Sequence, residues 1–141
     1  METPAAILPA DAPEAVPRAV EILSADGLAA LPTETVYGLC ARAESARAVC
    51  RVFAVKGRPA KNPLIVHGAS AQMLKDVGVF TAAADTLAKA LWPGPLTLVL
   101  ARASGAKIAD AACAGGPTVA LRVPQAAVLC AVSERIGPLV A

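Results

Sequence analysis

Residues 31–43 read LPTETVYGLCARA. An apolar approach, LAAL at 28–31, runs into four hydrogen-bonding side chains within five positions: Thr33, Glu34, Thr35 and Tyr37. A turn uses one or two such groups to satisfy its own backbone. Four of them, in a chain that is 56% hydrophobic, point to something being held.

The flanking sequence alternates between helical and strand-like periodicity. Val16, Ala19, Val20 and Leu23 fall at helical spacing, with Gly27 placed to end the helix in a left-handed cap, and a strand then runs through Leu28 to Leu31. Ala46, Val49, Cys50, Phe53 and Ala54 make a second stripe, with Ser45 as N-cap and Gly57 as stop. LIVH at 64–67 reads as a short buried strand, followed by a short helix over 71–76 and another over 82–92 that Pro93 stops. LTLVLA at 96–101 and TVALRV at 118–123 read as strands, and Val128, Leu129, Val132 and Ile136 as a last helix. WPGP at 92–95 reads as a packing corner anchored by Trp92. Strands alternating with helices predict an α/β domain with a mostly parallel or mixed sheet. PLVA at 138–141 opens one more strand, which predicts a sheet edge or core face left uncovered.

The composition sets bounds on function. A chain of 141 residues suits one domain, here 13–141, with the Pro/Ala-rich residues 1–12 loosely ordered. Aromatic content of 3% requires a core of small aliphatic side chains. A net charge of +2 excludes a general polyanion binder, so any affinity for phosphate has to be local. Cys40, Cys50, Cys113 and Cys130 form no C-x-x-C pair and read as small buried thiols of a reducing compartment. The N-terminus has acidic residues and prolines where a secretory signal has basic ones, and no apolar run reaches the ~20 residues that span a bilayer. A cytoplasmic protein without membrane partners is expected.

No hydrolytic triad, P-loop or G-x-G-x-x-G fingerprint is present. The candidate chemistry is cationic. Lys56, Arg58 and Lys61 lie within six positions in a Gly/Pro-containing loop. Arginine offers a planar fork of donors and lysine a mobile point charge, which together suit a phosphate chain; alternatively Lys56 and Arg58 complement the negative end of the preceding helix. Asn62, between structural breakers, can cap a turn or read a base or phosphate. Arg122 interrupts an apolar strand and needs an anionic partner or a cavity if that strand is central, or else lies exposed at its end. His67 ends its own strand, and ligands gather beyond the carboxyl ends of strands in open α/β sheets, so His67, Arg122 and the basic loop are expected at one end of the sheet.

In this order, LPTETVYGL, KGRPAKNPLIVH, LWPGPLTLVL, TVALRVP and GPLVA resemble the YrdC-like family of threonylcarbamoyl-AMP synthases, over nearly the whole chain from about Leu28. The resemblance implies a twisted mixed α/β sheet with flanking helices and a basic concave cavity. It implies an enzyme that converts L-threonine, bicarbonate and ATP, with magnesium, into threonylcarbamoyl-adenylate and pyrophosphate. A separate transferase then carries the threonylcarbamoyl group to tRNA. Carried over residue by residue, Thr35 and His67 fall on the threonine side, with Arg122 as partner of the threonine carboxylate. Arg58, Asn62 and Thr118 fall on the ATP side. Lys56 and Arg58 match the family's K-x-R pair and are the expected catalytic cations, with Lys61 as accessory and Thr33 and Tyr37 shaping the pocket.

Two departures qualify the match. GLCAR places Cys40 and Arg42 where the family has GLG-A-D, so an acidic position has become basic. The family's Ser-x-Asn motif, which completes the nucleotide site, is expected just after Ala141 and occurs nowhere in the chain. The sequence therefore reads as a short, single-domain member that is incomplete at its C-terminus. From other classes, the alternatives are a non-catalytic RNA-binding module, against which the low aromatic content and small charge argue, and an inactive fragment.

Overall fold

The structure is a computed structural model and describes residues 4–141. The helix read from the second stripe forms as α2 (Ala46–Lys56). The Ser45 hydroxyl caps it by accepting from the Ala48 amide, and Gly57 closes it at φ 60°, with the amides of Gly57 and Arg58 returning to the carbonyls of Ala54 and Phe53. Its buried stripe is Ala48, Val49, Val52 and Phe53. Ala46, Cys50 and Ala54 face solvent, so the expected stripe was rotated and Cys50 is not a buried thiol.

The first helix, α1 (Ala15–Ser24), ends differently from expectation. Asp26, not Gly27, takes the left-handed conformation at φ 60°. Gly27 is needed for close approach instead: a Cβ there would stand 2.6 Å from Ile22 Cγ2 and 2.7 Å from the Ile22 carbonyl oxygen, to which its amide bonds. Asp26 is held in turn by Arg42, whose guanidinium bonds its carboxylate at 2.9 Å and Glu44 at 3.3 Å. The basic residue at position 42 thus makes its own local ion pairs.

After α1 the chain forms β1 (Ala29–Pro32), a four-residue turn, and β2 (Tyr37–Arg42), a strand the sequence reading missed. Then follow α2, β3 (Ile65–His67), α3 (Ala71–Leu74), α4 (Ala82–Leu91), β4 (Leu98–Ala101), a 3-10 turn at Asp110–Cys113, β5 (Thr118–Arg122), α5 (Ala127–Ile136) and β6 (Leu139–Val140). The six strands form one mixed sheet in the order β1-β2-β6-β3-β5-β4, in which only β3 and β5 are parallel. β6 is no uncovered edge. It sits between β2 and β3, antiparallel to both, with Leu139 and Val140 fully buried.

The Trp92 corner forms as read: its indole N–H donates to the Leu96 carbonyl at 2.7 Å, and its ring meets Phe80 edge-on. Of the segment 1–12, residues 1–3 lie outside the described residues, and 4–12 form neither helix nor strand. No helix among the described residues is long and apolar enough to cross a membrane.

The two faces of the sheet are covered unequally, and this creates the site. Val66, Val119, Leu121 and Val140 point into a core closed by α2, the 3-10 turn and Leu74 of α3. On the same face, α4 packs Ala84 and Ala88 against Leu98. On the opposite face, α1 and α5 pack on Leu31, Cys40 and Leu139, which belong to β1, β2 and β6. Alternation sends Ile65 and His67 of β3, Thr118, Ala120 and Arg122 of β5, and Val99 of β4 to that same face, with Ile65, Ala120 and Arg122 part-exposed, Thr118 exposed and Val99 65% exposed.

Candidate functional site

The floor of the site is therefore the face of β3, β5 and β4 that α1 and α5 leave bare. At one end lie His67 and Arg122, Cα partners in the parallel register. His67 is only 4% exposed. Its Nδ1 lies 3.0 Å from the Ile65 carbonyl oxygen, and since a carbonyl can only accept, Nδ1 carries the proton and Nε2 the lone pair. Burial, reinforced by the Arg122 charge, holds its pKa below the usual histidine value, against the Ile65 bond and the Glu34 charge, which pull it up. The imidazole is thus a neutral acceptor. Arg122 donates from Nε to the Thr97 hydroxyl at 2.9 Å and pairs with no carboxylate among the described residues.

At the other end of β5, four residues and about 13 Å away, stands Thr118. The basic loop leads into the start of β3, so Arg58, Lys61 and Asn62 lie at this end as well. The expectation that they would share an end with His67 and Arg122 is thereby corrected, because a loop that directly precedes a strand must sit at that strand's amino end. Arg58 is part-exposed and does not reach the helix terminus with its side chain. Its Nε donates to the Asn62 carbonyl at 3.0 Å and its Nη2 to the Pro63 carbonyl at 2.7 Å, which folds the loop around the guanidinium. The exposed side chains of Lys56 and Lys61 form no ion pair among the described residues.

The opening motif forms the β1–β2 turn. The Thr33 hydroxyl donates to the Val36 carbonyl and accepts from the Val36 amide at 3.1 Å and the Thr35 amide at 3.3 Å. Thr33 is thus consumed in building the turn, while Thr35 is exposed at its tip, 3.2 Å from the Thr33 hydroxyl. Register through β6 sets Tyr37 level with the approach to β3 near Asn62, so the turn and the basic loop share a rim. Tyr37 is 74% exposed and lines a groove of about 550 Å³ with Ile7, Leu31, Pro32 and Val128. That groove, beside α1, is separate from the floor.

One group escaped the list of expected contacts. Both carboxylate oxygens of Glu34 are occluded and have no hydrogen-bond partner. The Glu34 charge pulls the pKa of His67 on β3 and of Cys130 on α5 upward, against the larger effect of burial at His67 and alongside it at Cys130. The signal in the sequence was the four-polar-group excess itself, since Thr33 alone satisfies the turn.

Comparison with known proteins gives a family to this arrangement. Residues 21–141 match the family Sua5_yciO_yrdC, described as "Telomere recombination". The threonylcarbamoyl-AMP synthase of Pyrococcus abyssi is 50% identical over 99 residues, which are 69% of this chain and 28% of that protein. That of Bacillus subtilis is 43% identical over 111 residues, 78% of this chain and 32% of that protein. The chain thus spans about a third of the length of these curated relatives. The crystal structure of P. abyssi Sua5 complexed with L-threonine superposes with a TM-score of 0.85 at 41% identity, over 89% of this chain and 37% of that one. Escherichia coli YciO, at 23% identity and a TM-score of 0.78, shares the fold. The chain belongs to the Sua5/YciO/YrdC family.

Proposed function

We propose that this chain carries the site for making L-threonylcarbamoyl-adenylate from L-threonine, bicarbonate and ATP, with release of pyrophosphate. The observation that carries this reading is the sheet floor, with the buried neutral imidazole of His67 at one end, beside a part-exposed guanidinium that has no carboxylate partner among the described residues, and Thr118 with the basic loop at the other. The two ends suit the two substrates. Arg122 takes the threonine carboxylate and His67 Nε2 accepts from the threonine hydroxyl, while Thr35, exposed on the turn at the rim shared with the basic loop, is assigned to threonine by the family resemblance alone. Arg58, Asn62 and Thr118 receive the nucleotide, with Lys56 and Lys61 supplying further positive charge. The family relatives named as threonylcarbamoyl-AMP synthases support this reading.

The reaction joins two anions. The carboxylate oxygen of the carbamate formed from threonine attacks the α-phosphorus of ATP, and pyrophosphate leaves. Cations held close to the phosphates lower the repulsion and the charge that develops on the leaving group. Positioning then does most of what a covalent nucleophile does elsewhere, and no side chain has to be acylated. Magnesium, brought with the ATP phosphates, would neutralise part of their charge beside Lys56, Arg58 and Lys61. The adenylate is then the substrate of a separate transferase that acts on tRNA, in the cytoplasm.

Incubating the chain with ATP, L-threonine, bicarbonate and magnesium tests the reading. Threonine-dependent pyrophosphate release, with the adenylate seen by mass spectrometry, is the expected result. Release that ignores threonine overturns it.

A further inference from the structure

The WPGP corner is tied down on both flanks. The Trp92 indole N–H donates to the Leu96 carbonyl at 2.7 Å, and the Gly94 amide donates to the Val123 carbonyl at 2.9 Å. The first bond holds the residue before Thr97, and the second the residue after Arg122. Position 94 requires glycine, because a Cβ there would stand 2.5 Å from the Leu91 carbonyl oxygen. Trp92 and Leu96 both pack on the cluster of Ala84, Ala88 and Leu98. Continuing the antiparallel register of β4 and β5 by one step from the Leu98–Leu121 pair sets Thr97 directly opposite Arg122. Opposed residues in such a pair project to one face, with Cβ atoms about 5 Å apart. Arg122 is therefore flanked by His67 on the β3 side and by Thr97 on the β4 side.

The backbone of Arg122 is fixed by β5 and by its carbonyl, which accepts from the Gly68 amide at 3.0 Å. Its long side chain is not fixed by that. Among the described residues the one hydrogen bond of the guanidinium runs from Nε to the Thr97 hydroxyl, at 2.9 Å. A guanidinium can meet a carboxylate side-on, through Nε and one Nη, or end-on, through both Nη groups. With Nε engaged, the end-on fork is what remains. We propose that Thr97 is the positioning residue for Arg122: the corner holds Thr97, the Thr97 hydroxyl holds Nε, and the two Nη groups are left to receive a carboxylate end-on. Thr97 acts through Arg122 and touches no reacting atom. This rests on the threonine reading of Arg122 given above, and it makes a segment read only as packing the brace of the anion receptor.

The test combines proton exchange with calorimetric titration of the 141-residue chain. In the ligand-free chain, nuclear magnetic resonance should find the Arg122 Nε–H protected, with exchange roughly 10-fold faster in Thr97→Val, which loses the acceptor, and unchanged in Thr97→Ser, which keeps it. Thr97→Val should bind L-threonine roughly 5- to 10-fold more weakly and ATP within about 2-fold of wild type, the size of one hydrogen bond lost at one end of the floor. Thr97→Ser should restore L-threonine binding. In an Arg122→Lys background Thr97→Val should cost nothing further, since lysine has no Nε to hold, whereas a packing role would cost the same in both backgrounds. Wild-type L-threonine affinity in Thr97→Val, an equal loss of ATP, or unchanged Nε–H exchange overturns the proposal. A wild-type chain that binds no L-threonine overturns the threonine reading instead, and the exchange measurement, which needs no ligand, then decides by itself whether Thr97 holds Arg122.

Discussion

His67 and Arg122 stand side by side at the carboxyl ends of β3 and β5, the only parallel pair in the sheet. Directly paired residues in a parallel register project to the same face, so the imidazole and the guanidinium meet over one patch of floor. The consequence is electrostatic as well as geometric. A cation beside a buried histidine adds to desolvation in keeping the imidazole neutral, and leaves the guanidinium as the local anion receptor.

Arg122→Lys should therefore fail where charge alone would succeed. Lysine keeps the positive charge but loses both the planar fork and the Nε bond to Thr97 that aims it. The expected outcome is a loss of L-threonine affinity by roughly 10-fold or more, with ATP affinity within about 2-fold of wild type, as befits one charge-assisted bidentate contact. Titration of each ligand separately checks it. An equal loss for both would remove Arg122 from the threonine end.

Arg58→Ala should show the opposite selectivity. Its guanidinium organises the loop through the Asn62 and Pro63 carbonyls, so its removal both withdraws a charge and releases the backbone that carries Asn62. ATP binding should fall by roughly 10-fold or more while L-threonine binding persists, because the two lie at opposite ends of the floor, about 13 Å apart. Adenylate formation should be lost with it. Pyrophosphate release near the wild-type rate would refute the role.

Leu139→Ala addresses the sheet itself. Leu139 is fully buried between β2 and β3, on the face shared with His67, and packs with the α1 and α5 cluster. Deleting most of such a side chain costs about 2–5 kcal/mol. A urea titration should find a loss in that range with an unchanged slope. A loss below about 1 kcal/mol would mean that β6 is not held at the centre of the sheet.

Which parts were legible in the sequence follows from how local their causes are. α2 was legible because its start and stop are single residues, Ser45 and Gly57, acting on adjacent backbone. β5 was legible because burial on one face imprints alternation on TVALR. β2 was not, since YGLCAR carries no such imprint: Tyr37 is exposed at the hairpin end, while Cys40 and Ala41 are buried on opposite faces. Gly27 misled because a glycine needed for close approach looks the same in sequence as one needed for a left-handed turn. The basic loop was assigned to the wrong end although its place directly before β3 sets it at that strand's amino end, because the clustering of cations was read without the direction of the strand that follows them. The residues of the site were named from the resemblance, but Glu34 was read only as one of four hydrogen-bonding side chains in the turn. Its distinction is the absence of a partner, which only three-dimensional neighbours reveal.

The cysteines separate by burial. Cys50 is exposed on α2, whereas Cys40 is fully buried and its thiol pKa is pushed up to about 12 by desolvation. Burial raises Cys113 and Cys130 as well. Brief maleimide treatment of the folded chain should label Cys50 first, the part-exposed Cys130 more slowly, and all four thiols only after denaturation. Rapid labelling of Cys40 or Cys113 in the folded chain would show that the core around them is open.

His67 also predicts how stability responds to acid. Its folded pKa lies below the 6.5 of an unperturbed histidine, because charging it means charging a buried ring beside Arg122. The unfolded chain therefore binds the proton more readily than the folded one. With more protons bound when unfolded, stability rises with pH through this window, and falls as pH drops below about 6.5. The loss continues until the folded pKa is passed. Melting temperature measured between pH 7.5 and pH 5 should fall, and the His67→Gln chain should fall less steeply over the same interval, because it has no imidazole to protonate. Parallel slopes for the two chains would mean that His67 is not the group whose protonation opens the sheet face, and that the neutral-acceptor role assigned to it in the site is wrong.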